Sequence, residues 1–147
     1  MMRSDADFMK EAYAEAQKGL EEGGLPIGAI LVRDGEIIGR GHNQRVQKAD
    51  PILHGEMACM QNAGRQASYK GTVMYTTLSP CMMCTGTIIQ FGVPRVVVGE
   101  SVNFKGYQDV LALAGIEVKD LHDPACIAMM GEFIRQHPGL WNEDIGK

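Results

Sequence analysis

Apolar residues recur along the chain in short stretches whose spacing alternates between a helical and an extended period, and glycines fall between the stretches. Phe8, Ala12, Ala16 and Leu20 repeat every four residues and so line one face of a helix. Ser4, with Asp7 three residues on, has the form of a capping box opening that helix, and Gly23-Gly24 stops it. Two extended runs follow, Ile27 to Val32 and Glu36 to Gly41, joined through Arg33-Asp34-Gly35, where Asp-Gly signals a hairpin turn. A polar loop from His42 to about Leu53 leads into a second helix, His54 to Arg65, with Met57, Met60 and Ala63 spaced for one face.

Thr72 to Leu78 is rich in strand formers and ends at Ser79-Pro80. Met82 to Phe91 reads as a helix closed by Gly92, and Pro94 bars its continuation. Val96-Val97-Val98 is a short buried strand, Tyr107 to Ala114 is helical up to Gly115, and Ile116 to Val118 is a last strand. Asp123-Pro124 supplies an N-cap and a proline at the first position of a helix that runs towards Gln136 and stops before Pro138. The order α-β-β-α-β-α-β-α-β-α opens with a hairpin and continues with helical crossovers. It calls for a mixed five-stranded sheet covered by helices on both faces, a three-layer α/β/α sandwich of the α/β class. No linker, low-complexity tract or internal repeat divides the sequence, so residues 1–147 read as one domain.

A chain of 147 residues removes roughly 68–70% of its unfolded surface from water, so a metal is not needed merely to hold it together. With 45% hydrophobic and 22% charged residues it has the composition of an ordinary soluble globular protein. Its net charge of −4 offers no basic field for a phosphate backbone or an anionic membrane, which argues against nucleic acid as a partner. No stretch approaches the ~18 apolar residues of a membrane span, and the start of the chain lacks the apolar run of a secretory signal. A cytoplasmic location without membrane association is the expectation. Cysteines there stay reduced, so the close pair Cys81 and Cys84 reads as metal-binding or redox-active rather than as a structural disulfide.

His54-Gly55-Glu56 begins one predicted helix and Pro80-Cys81-Met82-Met83-Cys84 begins the next, with a strand between them. Cysteines at i and i+3 on a first helical turn share a face, and a helix N-terminus favours their thiolate forms. His54 adds a neutral nitrogen donor, and two thiolates with one imidazole suit Zn2+ while leaving the fourth tetrahedral position open for water. Glu56 reaches beside that water without being a ligand, where a proton shuttle belongs. Taken alone, Cys-x-x-Cys after a strand fits a thioredoxin-type redox motif. A redox dithiol has no use for His54-Gly55-Glu56, whereas a metal site with a base uses all of these groups. Cys59 lies about 140° around a regular helix from His54, and Cys126 sits among Ala125, Ile127 and Ala128, so both read as buried core thiols.

The pattern H-x-E followed by P-C-x-x-C is the signature of zinc nucleobase deaminases. Around it the chain resembles the cytidine-deaminase superfamily and, within it, the fungal-type free-base cytosine deaminases, from the first helix to the C-terminus. The segments that carry the resemblance are Glu22 to Gly28, Gly39 to Asn43, Leu53 to Glu56, Tyr75 to Gly86, Val98 to Phe104 and Trp141 to Gly146. The resemblance implies zinc on His54, Cys81 and Cys84, with Glu56 as the catalytic proton shuttle. Asn43 and the Gly55 backbone would hold the pyrimidine carbonyl, the Ser79 backbone would stand near the leaving amine, Asp144 would address the amino group, and Phe104 and Trp141 would wall the ring.

The activity implied is hydrolysis of cytosine to uracil and ammonia, a step of pyrimidine salvage, in which zinc-bound hydroxide attacks C4 while Glu56 moves protons. No organic cofactor is implied, the partner is a small nucleobase, and the assembly is a homodimer. Relatives of the same fold act on guanine, creatinine, pteridines or tRNA adenosine, and these remain alternatives, as does a zinc-binding or thiol-redox protein without hydrolytic activity. Two segments depart from the fungal pattern, an abbreviated loop from Lys105 to Asp109 and a proline within Ala49-Asp50-Pro51-Ile52. The ending Trp141 to Ile145 carries too many apolar and aromatic groups for a disordered tail and is expected to fold over the site as a lid.

Overall fold

In the computed structural model, which describes residues 2–147, Asp34 and Gly35 both take positive φ, 52° and 78°. Such a turn matches the twist of the strands it joins. It sets β1 (Gly28–Arg33) antiparallel to β2 (Glu36–His42). β1 pairs on its other side, again antiparallel, with β3 (Thr72–Thr76). β4 (Arg95–Val98) and β5 (Glu117–Asp120) then add in parallel. Among the described residues these strands form one sheet in the order β2-β1-β3-β4-β5, the mixed five-stranded sheet the sequence calls for.

Helices cover both faces. α1 (Asp5–Glu21) and α6 (Pro124–Gln136) pack on one face, and α3 (Gly55–Ala63), α4 (Met82–Phe91) and α5 (Gln108–Leu113) on the other. The two-residue period of a strand divides the core accordingly. Ala29 and Leu31 of β1, with Val96 and Val98 of β4, bury against Cys59, Ile88 and Leu111. Ile30, Val32 and Val97 point the other way, towards Phe8, Met9, Ala12 and Cys126. α3 lies very close to β2 because Gly39 and Gly41 face it. A Cβ on Gly41 would fall 2.6 Å from the Ala58 backbone, and one on Gly39 2.6 Å from the Ala63 methyl. That close approach fixes where α3 begins, and with it His54 and Glu56.

The caps expected from sequence are present. Ser4 and Asp7 bond each other's backbone amides, Asp123 accepts from the Ala125 amide ahead of Pro124, and Gly92 closes α4 in the left-handed conformation. Several expectations need correction. Leu20 is 43% exposed, and Gly19 takes its place against Leu25 and His42. A four-residue repeat advances 400° per step, so it drifts about 40° each time and has left the buried face by its fourth member. On α3 the fully buried side is Glu56, Ala58 and Cys59, while Met57, Met60 and Ala63 are only half-buried.

The polar stretch after His42 contains a short helix, α2 (Arg45–Lys48), too brief to show a period. Pro138 does not end the helical region. It opens α7 (Pro138–Asp144), where a proline at the first helical position sacrifices no hydrogen bond. Element ends shift by a few residues elsewhere: α3 stops at Ala63 rather than Arg65, β3 at Thr76 rather than Leu78, and the last strand runs Glu117–Asp120. Among the described residues no helix is long and apolar enough to cross a membrane.

Candidate metal centre

Two helix N-termini meet at the same end of the sheet. His54 is the N-cap of α3 and Cys81 the N-cap of α4, so both side chains stand where unpaired helical N–H groups favour negative charge. The ligand atoms of His54, Cys81 and Cys84 all lie within 4.8 Å of one another. Cys81 Sγ is 3.5 Å from His54 Nδ1. Zinc bonds of about 2.0–2.1 Å to nitrogen and 2.3 Å to sulfur at a tetrahedral angle put those two atoms ~3.6 Å apart, so the donors are already at metal-binding spacing.

Hydrogen bonds from Cys84 and His54 push the Cys81 thiol down to about 4. Cys84 goes the other way, because its proton is held toward Cys81 and the group is buried. His54 Nε2, the nitrogen that faces away from the sulfurs, lies 3.5 Å from Asp144 Oδ1. A carboxylate on the far nitrogen of a ligating histidine orients the ring and fixes its tautomer. Cys59 and Cys126 are buried in the two core clusters, away from this group.

Glu56, in the first turn of α3, is 4% exposed and lines the same small cavity as His54, Cys81, Leu78 and Ser79. Burial, with the nearby Cys81 charge, pushes its carboxyl up to about 7. A carboxyl of that pKa can both take and return a proton near neutrality. Gly55 must be glycine here, since a Cβ would fall 2.9 Å from the Ile27 carbonyl. Its N–H belongs to the first turn of α3, where no helical carbonyl reaches it.

Asn43 follows β2 and is fully buried. Its amide N–H donates to the Ile27 carbonyl at 2.9 Å, its Oδ1 accepts from the Arg45 amide at 3.0 Å, and its Nδ2 donates to Asp144 Oδ1 at 2.8 Å. Phe104 stands edge-on to Trp141, ring centres 5.8 Å apart. Trp141 itself is buried against Leu25, Leu78 and Phe133. The structure thus gathers His54, Cys81, Cys84, Glu56, Ser79, Phe104, Trp141 and Asp144 around one place, with Asn43 joined to it through Asp144.

The tail closes over this place. The cavity beneath it, bounded by Glu56, Phe104, Trp141, Asp144 and Ile145, measures about 10 Å³, room for roughly one water. Beside Asp144 and Ile145 opens a mouth of about 460 Å³, bordered by Arg45, Tyr107 and Phe104 and by the metal donors His54 and Cys81. The cavity under the tail is too small for a nucleobase as it stands, so its walls, the tail segment at Asp144–Ile145 among them, must shift to admit one. Arg45 carried no signal in the sequence. Its Nη1 pairs with Glu143 of α7 at 3.1 Å and its Nε donates to the Pro51 carbonyl at 2.8 Å, which ties the tail to the loop before α3. Glu100 was visible only as part of a matching segment, yet its side chain is fully buried and bonded by Asn103.

The family model for the cytidine and deoxycytidylate deaminase zinc-binding region matches residues 2–100. The cytosine deaminase of Candida albicans is 47% identical over 150 aligned positions, covering all of both chains. A tRNA-specific adenosine deaminase of Streptococcus pyogenes serotype M18 is 40% identical over 107 positions, 71% of this chain and 67% of that protein. Among solved structures, one from a study of A-to-I editing by tRNA:A34 deaminases superposes with a TM-score of 0.67 at 27% identity, covering 78% of this chain and 97% of the other.

Proposed function

Because the chain belongs to the cytidine and deoxycytidylate deaminase family, through its zinc-binding region, we propose that it hydrolyses free cytosine to uracil and ammonia. The observation that carries this reading is the small roofed cavity beside the metal donors. Glu56, with His54 and Cys81, lies under a roof of Phe104, Trp141 and Asp144, and Cys84 completes the donor set. The full-length likeness to the Candida cytosine deaminase, tail included, supports it. The tRNA deaminase likeness extends over only 71% of the chain, and a net charge of −4 is a poor match for tRNA.

Zinc would be held by His54, Cys81 and Cys84, and when bound would supply Lewis acidity sufficient to lower the pKa of water from 15.7 to about 7. The rest is done by the chain. Glu56 takes one proton from the attacking water and delivers it to the ring nitrogen N3, then takes the remaining hydroxyl proton and delivers it to the departing amine, for which a carboxyl poised near neutrality is suited. Asn43 and the Gly55 amide hold the pyrimidine carbonyl, the Ser79 backbone and Asp144 face the amine, and the Phe104 and Trp141 rings fix the plane of the base. Asp144 also acts on the metal side, since by bonding Asn43 and facing His54 it couples closure of the tail to the orientation of a ligand. Water is excluded while the tail is down, and release requires it to lift.

The protein works in the cytoplasm in pyrimidine salvage and as a homodimer. The apolar groove beside α3 and α4, with Ile52 59% and Phe91 55% exposed, offers surface for a second copy. One preparation tests the metal, the activity and the assembly together. Purified protein is expected to hold about one zinc per chain, to release ammonia from cytosine in step with uracil, and to show twice the chain mass by light scattering. Zinc without ammonia release would refute the activity, and a monomeric mass would refute the assembly.

A further inference from the structure

Glu100, two residues beyond β4, is fully buried, and the mechanism above gives it no part. Its carboxylate is held by N–H groups. The Asn103 backbone amide donates to Oε2 at 3.2 Å, and Asn103 Nδ2 donates to Oε1 at 3.0 Å and to Oε2 at 3.3 Å. The Val102 amide also acts on it, and the charge of Asp120 is of like sign. A buried carboxylate answered by amides alone is a costly feature that an apolar residue would avoid. It is retained where a particular loop shape is worth more than the burial.

The loop it shapes is short and leads to the site. Asn103 Nδ2 also donates to the Ile127 carbonyl of α6 at 3.0 Å, so Ser101–Phe104 is fastened to the sheet end and to a helix at once. The next residue is Phe104, whose ring meets Trp141 at 86°. On its main-chain side the Glu100 carbonyl accepts from the Ser79 amide at 2.9 Å, two residues before the ligand Cys81. One residue thus supports two opposite parts of the pocket, the aromatic wall and the strand end that leads to the metal.

We infer that Glu100 is a specificity-determining positioning residue. Through Asn103 it holds Phe104 against Trp141, and so sets the wall that admits a bare pyrimidine and excludes one carrying a sugar. This rests on the cytosine reading for its kinetic consequences, but not for the packing of Trp141. Trp141 is the single tryptophan of the chain, so its emission reports on the wall directly.

Glu100→Gln keeps the shape and replaces one accepting oxygen with a donor that faces the Asn103 donors. The zinc-loaded variant is expected to keep its metal, to raise KM for cytosine about 10-fold or more with a smaller change in kcat, and to narrow the preference for cytosine over cytidine about 10-fold. Its Trp141 emission should shift to longer wavelength and quench more readily with acrylamide. In a Phe104→Ala background the same substitution should change the preference little further, since the wall it supports is already gone. Asn103→Ala removes the Nδ2 donor, leaving the backbone amide, from a half-buried position and serves as the second variant should Glu100→Gln fail to fold.

Parental KM, preference and Trp141 emission in the folded variant would overturn the inference, as would an effect fully additive with Phe104→Ala. If the parent protein itself does not turn over cytosine, the activity reading fails, and the emission arm alone still decides the role of Glu100.

Discussion

Replacing Glu56 with glutamine is expected to lower kcat on cytosine by about 10²–10⁴-fold while leaving the zinc content at the parental level. The separation follows from geometry. Glu56 lines the cavity under the tail but stands outside the set of donors formed by His54, Cys81 and Cys84. An amide of the same shape fills the same space and cannot take a proton from water. Stability should not fall, because burial already disfavours the charged carboxylate, as the rise of its pKa to about 7 shows. Metal analysis and steady-state kinetics on one sample check both halves. Turnover at the parental rate would remove Glu56 from the chemistry, and loss of zinc would make it part of the metal site.

Truncation after Leu140 is expected to be the second large effect, a loss of about 10²-fold or more in kcat/KM carried mostly by KM. The cut removes Asp144, which bonds Asn43 and faces His54, together with Ile145 and Trp141 of the roof. It also removes a buried tryptophan from the cluster of Leu25, Leu78 and Phe133, so the melting temperature should fall as well. Asp144→Ala isolates the functional part, since it leaves Trp141 in place. That variant should weaken zinc binding about 10–100-fold in a chelator competition, because His54 loses the carboxylate that orients it. Unchanged kinetics and metal affinity in both variants would reduce the tail to ordinary packing.

The metal site is legible in sequence for a local reason. Cys81 and Cys84 sit three residues apart, His54 and Glu56 two apart, and each pair falls where a helix begins, so the neighbours within a pair are set by helix geometry alone. The sheet is legible because the residues of β1 and β4 alternate between two buried faces. Contacts that join remote segments are not legible in this way. Asn43 meets Asp144 across 101 positions and Arg45 meets Glu143 across 98, and no period or turn residue announces either pairing. For Asn43 and Asp144 the family resemblance supplied what spacing could not, whereas nothing marked Arg45.

Glu100 shows the same limit in another form. A lone glutamate after a valine-rich strand carries no sign that it is buried, and only its bonds to Asn103 disclose it. The two short helices were missed for different reasons. α2 spans four residues, less than a period can reveal, and Pro138 reads equally as the end of one helix or the first residue of another.

On this mechanism the roof of Phe104, Trp141 and Asp144 selects a free pyrimidine base over its nucleoside. That selection is tested most directly by kcat/KM measured in parallel for cytosine and cytidine on the zinc-loaded protein. Cytosine is expected to be preferred by at least ~10²-fold, because a ribose adds bulk to be placed against Phe104, Trp141 and Asp144 beyond what the base itself requires. An equal or higher kcat/KM for cytidine would contradict it.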